Sequence, residues 1–560
     1  MDREPLVDLP THRVTNQPPP LVDYDVMAGD AALREAVARE GADWAEELLH
    51  RFGHAVGSRK YIEAGFLANE HPPQLRTFDR YGQRVDEVDF HPAYHQLMGL
   101  AMEYRLPSLP WAEPRAGAHV THAAMVYLLT QVEPGVMCPQ VMTYAAVPAL
   151  RHQPEVAEQW LPKILDGRYD SRSIPATDKN GVTLGMAMTE KQGGSDVRAN
   201  TTRATAVGKG GPGQEYRLRG HKWFCSAPMC DAFLTLAHTA EGLSCFLVPR
   251  WRPDGTRNRF FIQRLKNKLG NRSNASSEIE YDDTWATMIG QEGRGVRTII
   301  EMVHHTRLDA AVAPAALMRQ ALTQAIHHAR HRKAFGKLLV EQPLMRAVLA
   351  DLALEVEASV ALLMRVARSF DESQDEPAAA RMSRLSTAFT KYWINKRAPG
   401  HVYEALECLG GAGYIEESMM PRLYREAPLN SIWEGSGNVI CLDVLRAIRR
   451  DPECLQALLD ELQPACQDEP RVADLVADAG AMLSDTDHVE LRARQLTQNL
   501  AMAMQAALLM KHAPTPVADA FIAARLGGAG VRAYGALPSG IDLDLLIERA
   551  TPSTPIRSAR

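Results

Sequence analysis

The sequence contains neither a paired-cysteine pattern nor a long apolar run. Its eight cysteines are scattered, and no two of them form a C-x-x-C pair. This spacing argues against a disulfide framework or a zinc site, and it fits a reducing compartment. No segment approaches the apolar length of a membrane span, and the N-terminus carries acids and prolines where a signal peptide is apolar. We therefore expect a cytoplasmic protein with no membrane anchor and no metal site.

The chain also lacks an excess of basic charge. Among its 560 residues, 62 are Lys or Arg and 68 are Asp or Glu, which gives a formal net charge of −6. This balance provides no overall attraction to nucleic acid, so any such binding needs a local basic patch. The length exceeds what one hydrophobic core supports and predicts about three or four domains.

Changes in sequence texture predict four regions. Residues 1–180 space apolar residues at i, i+3 and i+4, which predicts an N-terminal helical domain. Residues 181–285 carry short β-branched and aromatic runs between turn residues, which predicts an antiparallel β domain. Long amphipathic segments in residues 286–447 are typical of a four-helix bundle, and residues 448–560 predict a further helical domain. The fold class is therefore α+β and mostly α.

One glycine-rich segment matches the dinucleotide-binding pattern G-x-G-x-x-G. It runs from Gly208 to Gly213 inside the predicted β domain. The pattern requires a helix after it, whereas Pro212 and the strand-like segment EYRLRG follow here. We interpret this segment as a hairpin loop.

The stretch NSIWEGSGNVICLDVLR, residues 430–446, places one aromatic residue and one acid among loop formers. Trp433 and Glu434 stand between small polar residues, and helical spacing begins immediately afterwards. One interpretation is a capped helix start, in which small polar residues bind the free N–H groups of the first turn. The other interpretation gives the Glu434 carboxylate a chemical role. This stretch alone does not decide between them.

Four further motifs lie at or near the junctions of the predicted regions. They are MAMTEKQGGSD (186–196), GHKWFCS (220–226), RKAFGK (332–337) and ECLGGAGY (407–414). Each one alone is more typical of a turn or a solvated helix face. Their order resembles the acyl-CoA dehydrogenase superfamily, and the similarity is closest to its AidB-type alkylation-response branch. The segments MTEKQGGSDVRANTT, RLKNKLGNRSNASSEIEYD, RKAFGKLL and NSIWEGSGNVICLDVLR are similar to that branch almost as they stand.

The resemblance extends from about Asn16 to Arg450 and continues more faintly to the C-terminus, where this branch carries a helical extension. It implies an FAD cofactor, a homotetramer and an acyl-CoA or related substrate. Arg332 and Phe335 match a pair that reaches the FAD of a neighbouring subunit. The residues that match the family's cofactor contacts are Met188, Thr189, Gly194, Ser195, Phe224, Cys225, Ser226, Arg332, Phe335, Gly410, Gly411, Ile432, Trp433, Ser436 and Asn438.

Glu434 matches the family's catalytic base, and physical chemistry agrees with that role. Oxidation of an acyl thioester by a flavin needs a base for the weakly acidic α-proton. A carboxylate enclosed by Trp433 and a flavin is disfavoured in its charged form, so its pKa should rise. Pro343 and Glu407 stand where many members have glutamines that contact FAD at a subunit interface. The resemblance therefore supports the contacts at the flavin ring more strongly than those at the interface.

Two functions and one alternative follow. The first is a weak FAD-dependent acyl-CoA dehydrogenase activity, and the second is sequence-independent binding of double-stranded DNA through the C-terminal extension. The alternative is an acyl-CoA dehydrogenase or acyl-CoA binder with no DNA role. Residues 441–560 hold twelve Lys and Arg against sixteen Asp and Glu, so DNA binding there depends on clustering. The candidate DNA-binding residues are Arg446, Arg449, Arg450, Arg492 and Arg494.

Overall fold

An N-terminal helical region precedes the central sheet. The computed structural model describes residues 5–527 and 533–554. Among these residues, the helices of this region are α1 (Ala31–Val37), α2 (Glu46–Val56), α3 (Arg59–Glu70), α4 (Pro92–Glu103), α5 (Leu109–Ala112), α6 (Ala118–Thr130), α7 (Met137–Leu150) and α8 (Pro154–Leu165). Every residue of α6 is buried. A helix that is apolar all round must lie inside the protein, and α6 and α7 accordingly pack against the bundle.

Short strands interrupt this helical region, and the sequence patterns did not predict them. A two-stranded ladder joins β1 (Asp8–Leu9) to β2 (His12–Arg13), and a longer hairpin joins β3 (Gln74–Phe78) to β4 (Arg84–Asp89). The turn of the longer hairpin contains Gly82 with a φ of +80°, a conformation that glycine adopts without a steric penalty. The prediction for this region was mostly helical with residues 1–25 irregular, and it did not include these short strands.

The central region contains a mixed β-sheet. Its strands are β5 (Leu184–Ala187), β6 (Arg203–Ala206), β7 (Glu215–Ser226), β8 (Ala232–Thr239), β9 (Gly242–Pro249), β10 (Phe260–Leu265) and β11 (Ser276–Ile289). The strands β11, β7, β6, β8 and β9 pair in this order, and β9 returns to pair with β11. The pairs β5–β8 and β6–β8 are parallel, whereas the other pairs of this sheet are antiparallel as predicted. Parallel neighbours need a crossover connection rather than a tight turn.

The glycine-rich segment lies where a hairpin was predicted. Strands β6 and β7 pair antiparallel, and Val207 N donates to Glu215 O at 2.9 Å across the connection. Gly208, Gly210, Gly211 and Gly213 all have positive φ values. The hairpin interpretation is therefore confirmed, and β7 rather than a helix follows this segment in the described structure.

Long helices form the bundle after the sheet. They are α9 (Gly295–His331), α10 (Pro343–Glu372), α11 (Pro377–Glu407), α12 (Met420–Glu426) and α13 (Gly437–Arg450). Proline at the first position starts α10 and α11, because its missing N–H has no partner there in any helix. Helices α9, α10 and α11 pack on one another, and α13 packs on α11. A short hairpin of β12 (Lys333–Ala334) and β13 (Lys337–Leu338) connects α9 to α10.

The C-terminal region covers the bundle with further helices. They are α14 (Glu453–Asp468), α15 (Pro470–Ser484), α16 (Ala493–His512), α17 (Thr515–Phe521) and α18 (Leu543–Arg549). Helix α16 is largely buried and packs on both α10 and α11. Arg549 of α18 forms ion pairs with Glu35 of α1 and Glu357 of α10, which joins this region to both earlier helical parts. No described helix is long and apolar enough to cross a membrane.

Candidate active site

The loop that carries Glu434 lies immediately before α13 and has a strained backbone. Glu434 has a φ of +59° and Gly435 a φ of +103°. A non-glycine residue in this left-handed region costs about 1–3 kcal/mol and persists only where its surroundings impose it. Lys391 Nζ donates to Asn430 O at 3.0 Å and to Gly435 O at 2.8 Å, and Arg307 Nε donates to Glu434 O at 3.0 Å. A buried lysine and a half-buried arginine therefore hold the carbonyl groups of this loop.

The Glu434 carboxylate receives one hydrogen bond. Thr306 Oγ1 donates to Glu434 Oε2 at 2.7 Å, while the described structure records no hydrogen bond to Oε1. Burial raises the pKa of Glu434 above its ordinary value, and Thr306, Lys391 and Arg307 oppose this rise only in part. A carboxylate with a raised pKa and one free oxygen is suited to accept a proton.

Helix capping does not account for Glu434. Helix α13 begins at Gly437, and Ser436 occupies the N-cap position without a side-chain hydrogen bond to the helix. The Glu434 side chain points instead to Thr306 of α9. The capped-start interpretation requires a loop side chain to accept hydrogen bonds from the free N–H groups of the first turn. The N-cap side chain makes no such bond.

Trp433 attaches the base loop, residues 430–436, to the β domain. Its Nε1 donates to Asn430 Oδ1 at 2.7 Å, within the same loop. Its ring packs against the hydrophobic core of the β domain, and Met188 packs against the same core. Glu434 consequently lies at the junction of the bundle and the β domain.

The segment after β5 is held against β7 by a buried ion pair. Thr189 O accepts a hydrogen bond from Trp223 N at 2.8 Å. Lys222 Nζ of β7 lies 2.9 Å from Glu190 Oε1, and both side chains are fully buried. Gly194 lies so close to Thr189 that a Cβ atom there would be 2.3 Å from Thr189 Oγ1. Ser195 follows Gly194 in an exposed part of this loop.

The end of β7 presents alternate residues to opposite sides. Phe224 is 48% exposed and Ser226 is partly buried, whereas Cys225 is fully buried. Any cofactor contact from Cys225 must therefore come from its backbone, because its side chain lies in the β-domain core. Burial raises the pKa of Cys138 of α7 to about 11, and the smaller influences on it include a hydrogen bond with Ser226 and the charge of Glu434. Cys138 thus lies between the end of β7 and the base loop.

A second group of predicted cofactor residues lies elsewhere on the bundle. Arg332 ends α9 and donates through Nη1 to Asn16 O at 2.9 Å. Phe335 is 99% exposed on the β12–β13 hairpin. Gly410 has a φ of +60°, and both Gly410 and Gly411 have open space where a Cβ atom would stand. In the described part of the chain, no hydrogen bond or ion pair joins these residues to the surroundings of Glu434.

The loop of Glu434 and the end of β7 present groups of the kinds that bind a flavin dinucleotide. They offer the exposed rings and aliphatic groups of Phe224 and Ile432, the latter 65% exposed, and the hydroxyl of Ser226. Ser436 and Asn438 are exposed at the start of α13, where the helix has free N–H groups that favour phosphate. Apolar surface for a ring system and donors for phosphates therefore occur together.

Most of the predicted DNA-binding arginines have partners in the structure. Arg446 pairs with Asp443 at 3.2 Å, Arg449 pairs with Glu490 at 3.4 Å and Arg492 pairs with Asp485. Arg494 Nε donates to Asn438 Oδ1 at 2.8 Å, beside the candidate cofactor surface. Arg450 is exposed at the end of α13, and no ion pair is recorded for it among the described residues.

Sequence reasoning did not select four residues that support the base loop. They are Thr306, Arg307, Lys391 and Asp443, of which Asp443 accepts hydrogen bonds from Arg307, Arg384 and Arg446. A signal for two of them exists, because the polar run His304-His305-Thr306-Arg307 interrupts a long apolar helix. Lys391 stands alone among apolar residues in TAFTKYW. Such isolated polar residues within a buried helix indicate a hydrogen-bonding task.

A helical region, a β domain and a bundle with a carboxylate at their junction define an acyl-CoA dehydrogenase-like architecture. Three family models match the chain in this order. Residues 16–171 match the adaptive response protein AidB N-terminal domain, residues 185–284 the acyl-CoA dehydrogenase middle domain, and residues 293–449 the acyl-CoA dehydrogenase C-terminal domain. The predicted fold class is therefore confirmed.

Individual relatives agree with these matches. AidB of Escherichia coli (strain K12) is 46% identical over 544 residues, which cover 97% of this chain and 98% of that protein. The crystal structure of Caenorhabditis elegans ACDH-11 in complex with C11-CoA superposes with a TM-score of 0.81 and 26% identity, covering 98% of this chain and 95% of that one. A Bacillus anthracis acyl-CoA dehydrogenase complexed with FAD shares the fold with a TM-score of 0.62 at 19% identity, covering 79% and 78% of the two chains. The chain belongs to the acyl-CoA dehydrogenase family, in its AidB branch.

Proposed function

We propose that the protein is an FAD-dependent oxidoreductase that forms a double bond between the α- and β-carbons of an acyl-CoA thioester. The observation that carries this proposal is Glu434, a half-buried carboxylate with a raised pKa on a strained loop at the junction of bundle and β domain. Family membership supports FAD as the cofactor. The C11-CoA complex of the C. elegans relative supports an acyl-CoA as the substrate class.

In this proposal the two oxygens of Glu434 have separate tasks. Thr306 holds Oε2 at 2.7 Å, so Oε1 is the oxygen that accepts the α-proton of the substrate. When bound, FAD supplies the acceptor for the β-hydride, so that proton and hydride leave and the C=C bond forms. Lys391 and Arg307 keep the loop in place during proton transfer, because they bind carbonyl groups of Glu434 and of the residues around it.

Anaerobic mixing with a panel of acyl-CoAs tests this proposal. The purified protein should be yellow and contain about one FAD per chain, and at least one acyl-CoA should bleach the flavin absorbance. A control with free CoA should leave the absorbance unchanged. A colourless protein that does not take up added FAD would contradict the proposal, as would a yellow protein that no acyl thioester bleaches.

The positions of Arg332 and Phe335 support a homotetramer in which subunits share cofactor sites. Phe335 is 99% exposed and Arg332 lies within three residues of it, apart from the surroundings of Glu434. Aromatic residues and arginine are enriched in protein–protein interfaces. Gel filtration with light scattering should give four chains per particle. A stable monomer that keeps its FAD would contradict this assembly.

Binding of double-stranded DNA is a second candidate function, supported by the end of α13. Arg446, Arg449 and Arg450 are exposed within five consecutive residues of one helix. The ion pair of Arg449 with Glu490 is a surface contact, which contributes little and can be exchanged for phosphate. Arg446 is itself exposed, and its buried partner Asp443 keeps ion pairs with Arg307 and Arg384. We infer weak, sequence-independent binding that decreases with salt as phosphate contacts release counterions.

A salt titration of duplex binding tests the DNA proposal. Replacing Arg446, Arg449 and Arg450 by Ala should reduce the slope of log K against log salt by about 0.9 for each phosphate that is no longer neutralised. The matched control replaces Arg80, Arg219 and Arg471, which are exposed and lie far apart in the chain. Equal slopes in both triple variants would exclude this patch. No binding at low salt would leave only the oxidoreductase function.

A further inference from the structure

Lys391 is a buried lysine in the middle of α11. Its side chain is 1% exposed, and lysine is seldom buried to this extent without a specific partner. Its Nζ donates to Asn430 O at 3.0 Å and to Gly435 O at 2.8 Å, and the described structure records no third hydrogen bond. These two carbonyl groups lie on either side of Glu434.

The charged groups that face Lys391 come from three elements. Glu434 on the base loop is the one that favours the ammonium form, whereas Arg307 of α9 and Lys396 of α11 oppose it. Burial lowers the pKa of Lys391 to about 7, although Glu434 acts against this shift. Asp443 is already bound to Arg307 and Arg384, so Glu434 is the carboxylate that compensates Lys391.

The arrangement differs from an ordinary buried ion pair. A lysine that only neutralised Glu434 would bind the carboxylate directly, as Lys222 binds Glu190 at 2.9 Å. Lys391 binds the flanking carbonyl groups instead and leaves Glu434 Oε1 without a hydrogen bond in the described structure. An ammonium at this place stabilises the carboxylate through charge while keeping it free to accept a proton.

We propose that Lys391 is a positioning residue for the base: it fixes the strained loop through two carbonyl groups, and its ammonium charge favours the ionised Glu434 carboxylate at acidic pH. This inference rests on the proposed function, because it assigns Lys391 a role towards the same proton acceptor. It goes further by making the proton affinity of Glu434 depend on a group that touches neither substrate nor cofactor.

Two consequences have a defined sign. Without the positive charge, the pKa of Glu434 rises, so the acidic limb of the rate profile should move up by about one pH unit and the rate below it should fall about tenfold. Separately, the folded protein releases the Lys391 proton near pH 7, whereas the unfolded chain keeps it to about pH 10.4. The contribution of Lys391 to the free energy of unfolding therefore increases as pH rises from about 7 to about 10.4.

The experiment compares three substitutions at Lys391. Lys391→Met and Lys391→Gln both remove the charge, and Gln keeps one donor for the loop carbonyls. Lys391→Arg keeps the charge. Lys209→Met is the matched control, because Lys209 is exposed in the hairpin between β6 and β7. FAD content, flavin reduction by acyl-CoA against pH, and thermal unfolding against pH are measured for each protein.

We expect Lys391→Met and Lys391→Gln to retain FAD and to shift the acidic limb of the flavin-reduction rate to higher pH. Lys391→Arg and the control Lys209→Met should keep the acidic limb of the wild type. A Gln variant with the wild-type limb would overturn the proposal, because a neutral donor would then suffice. Thermal unfolding gives a readout without substrate: the wild type should gain stability from about pH 7 to 10, and the neutral variants should lack this gain. If the stability of the wild type and of the neutral variants depended on pH in the same way, the proposal would be overturned. This measurement needs no acyl-CoA oxidation, so failure of the proposal for Lys391 is distinguishable from failure of the proposed function.

Discussion

The loop of Glu190 and the loop of Glu434 each hold a carboxylate, fully buried in the first and half-buried in the second, and their pKa values move in opposite directions. Burial would raise the pKa of Glu190, but Lys222 and hydrogen bonds from Thr201 and Thr202 lower it to about 2. Glu434 receives one hydroxyl hydrogen bond, and burial raises its pKa. The number of donors that reach the carboxylate decides between a structural ion and a proton acceptor.

The two buried lysines follow the same division. Lys222 binds the Glu190 carboxylate directly, whereas Lys391 binds carbonyl groups beside Glu434. The first arrangement stabilises the fold by pairing two charges, and removing one partner would leave the other uncompensated. The second holds the loop of the proposed proton acceptor in place and leaves the carboxylate without a direct hydrogen bond from the lysine. The comparison therefore predicts that substitutions in the first loop affect stability and substitutions in the second affect rate.

Replacing Glu434 should have the largest effect and should fall on the rate. Glu434→Gln keeps the shape of the side chain but removes the proton acceptor, so flavin reduction by acyl-CoA should slow by about 10²- to 10⁴-fold. FAD content and melting temperature should stay close to those of the wild type. Bleaching at the wild-type rate would show that another group takes the α-proton.

Replacing Glu190 should affect stability rather than rate. Glu190→Gln leaves Lys222 buried without a counter-charge, which should cost about 3–5 kcal/mol in the free energy of unfolding. Because the folded pKa of Glu190 is about 2, the loss should persist at neutral pH and shrink only as pH falls towards that value. Denaturant unfolding measures this change, and exposed Glu158 provides a matched Glu→Gln control. Adding Lys222→Met should recover part of the loss, and a double variant less stable than Glu190→Gln would contradict the pairing.

Replacing Arg332 examines a region that belongs to neither loop. Arg332→Ala removes a charge-assisted contact proposed for the FAD of a neighbouring subunit, so cofactor binding should weaken by about 1.5–3 kcal/mol. Fluorescence titration of the apoprotein with FAD measures this change. Lys333→Ala is the control, since Lys333 is an exposed neighbouring cation. Equal FAD affinities in both variants would remove Arg332 from the cofactor site.

Replacing Thr306 should give the smallest effect in this series. Thr306→Val deletes the one hydrogen bond to the Glu434 carboxylate, and that bond lowers the pKa of Glu434. The acidic limb of the rate should therefore move up by about one pH unit, which is about a tenfold slower reaction below the limb. Stopped-flow reduction at several pH values measures the shift. A slower reaction with an unmoved limb would instead indicate a change in the position of the base.

The fold order was predictable because its signals are local. Helical periodicity, the change to short β runs after Gly181 and proline at helix starts all stand in neighbouring residues. The hairpin of β3 and β4 was missed because its strands are short and lie between long helices. The parallel pairs with β8 were missed because strand direction depends on residues distant in sequence.

Glu434, the proposed base, was selected from its motif, but the residues that contact its loop were not. Thr306, Arg307 and Lys391 lie on two other helices, between 43 and 128 residues from Glu434 in the chain. Neither periodicity nor composition shows that an isolated polar residue on one helix faces a loop formed much later. The roles of the predicted cofactor residues likewise stay predictions, which the substitutions above address.

The pH dependence of flavin reduction in the wild type and in Glu434→Gln tests the central claim most directly. Both proteins are mixed anaerobically with the same acyl-CoA, and the first-order bleaching rate is measured from acid to neutral pH. We predict a wild-type rate that rises with a pKa above the ordinary glutamate value of about 4.3, and a slow rate without this limb in the variant. The same rising limb in the variant, or a wild-type limb at the ordinary value, would contradict Glu434 as a base whose pKa is raised by burial.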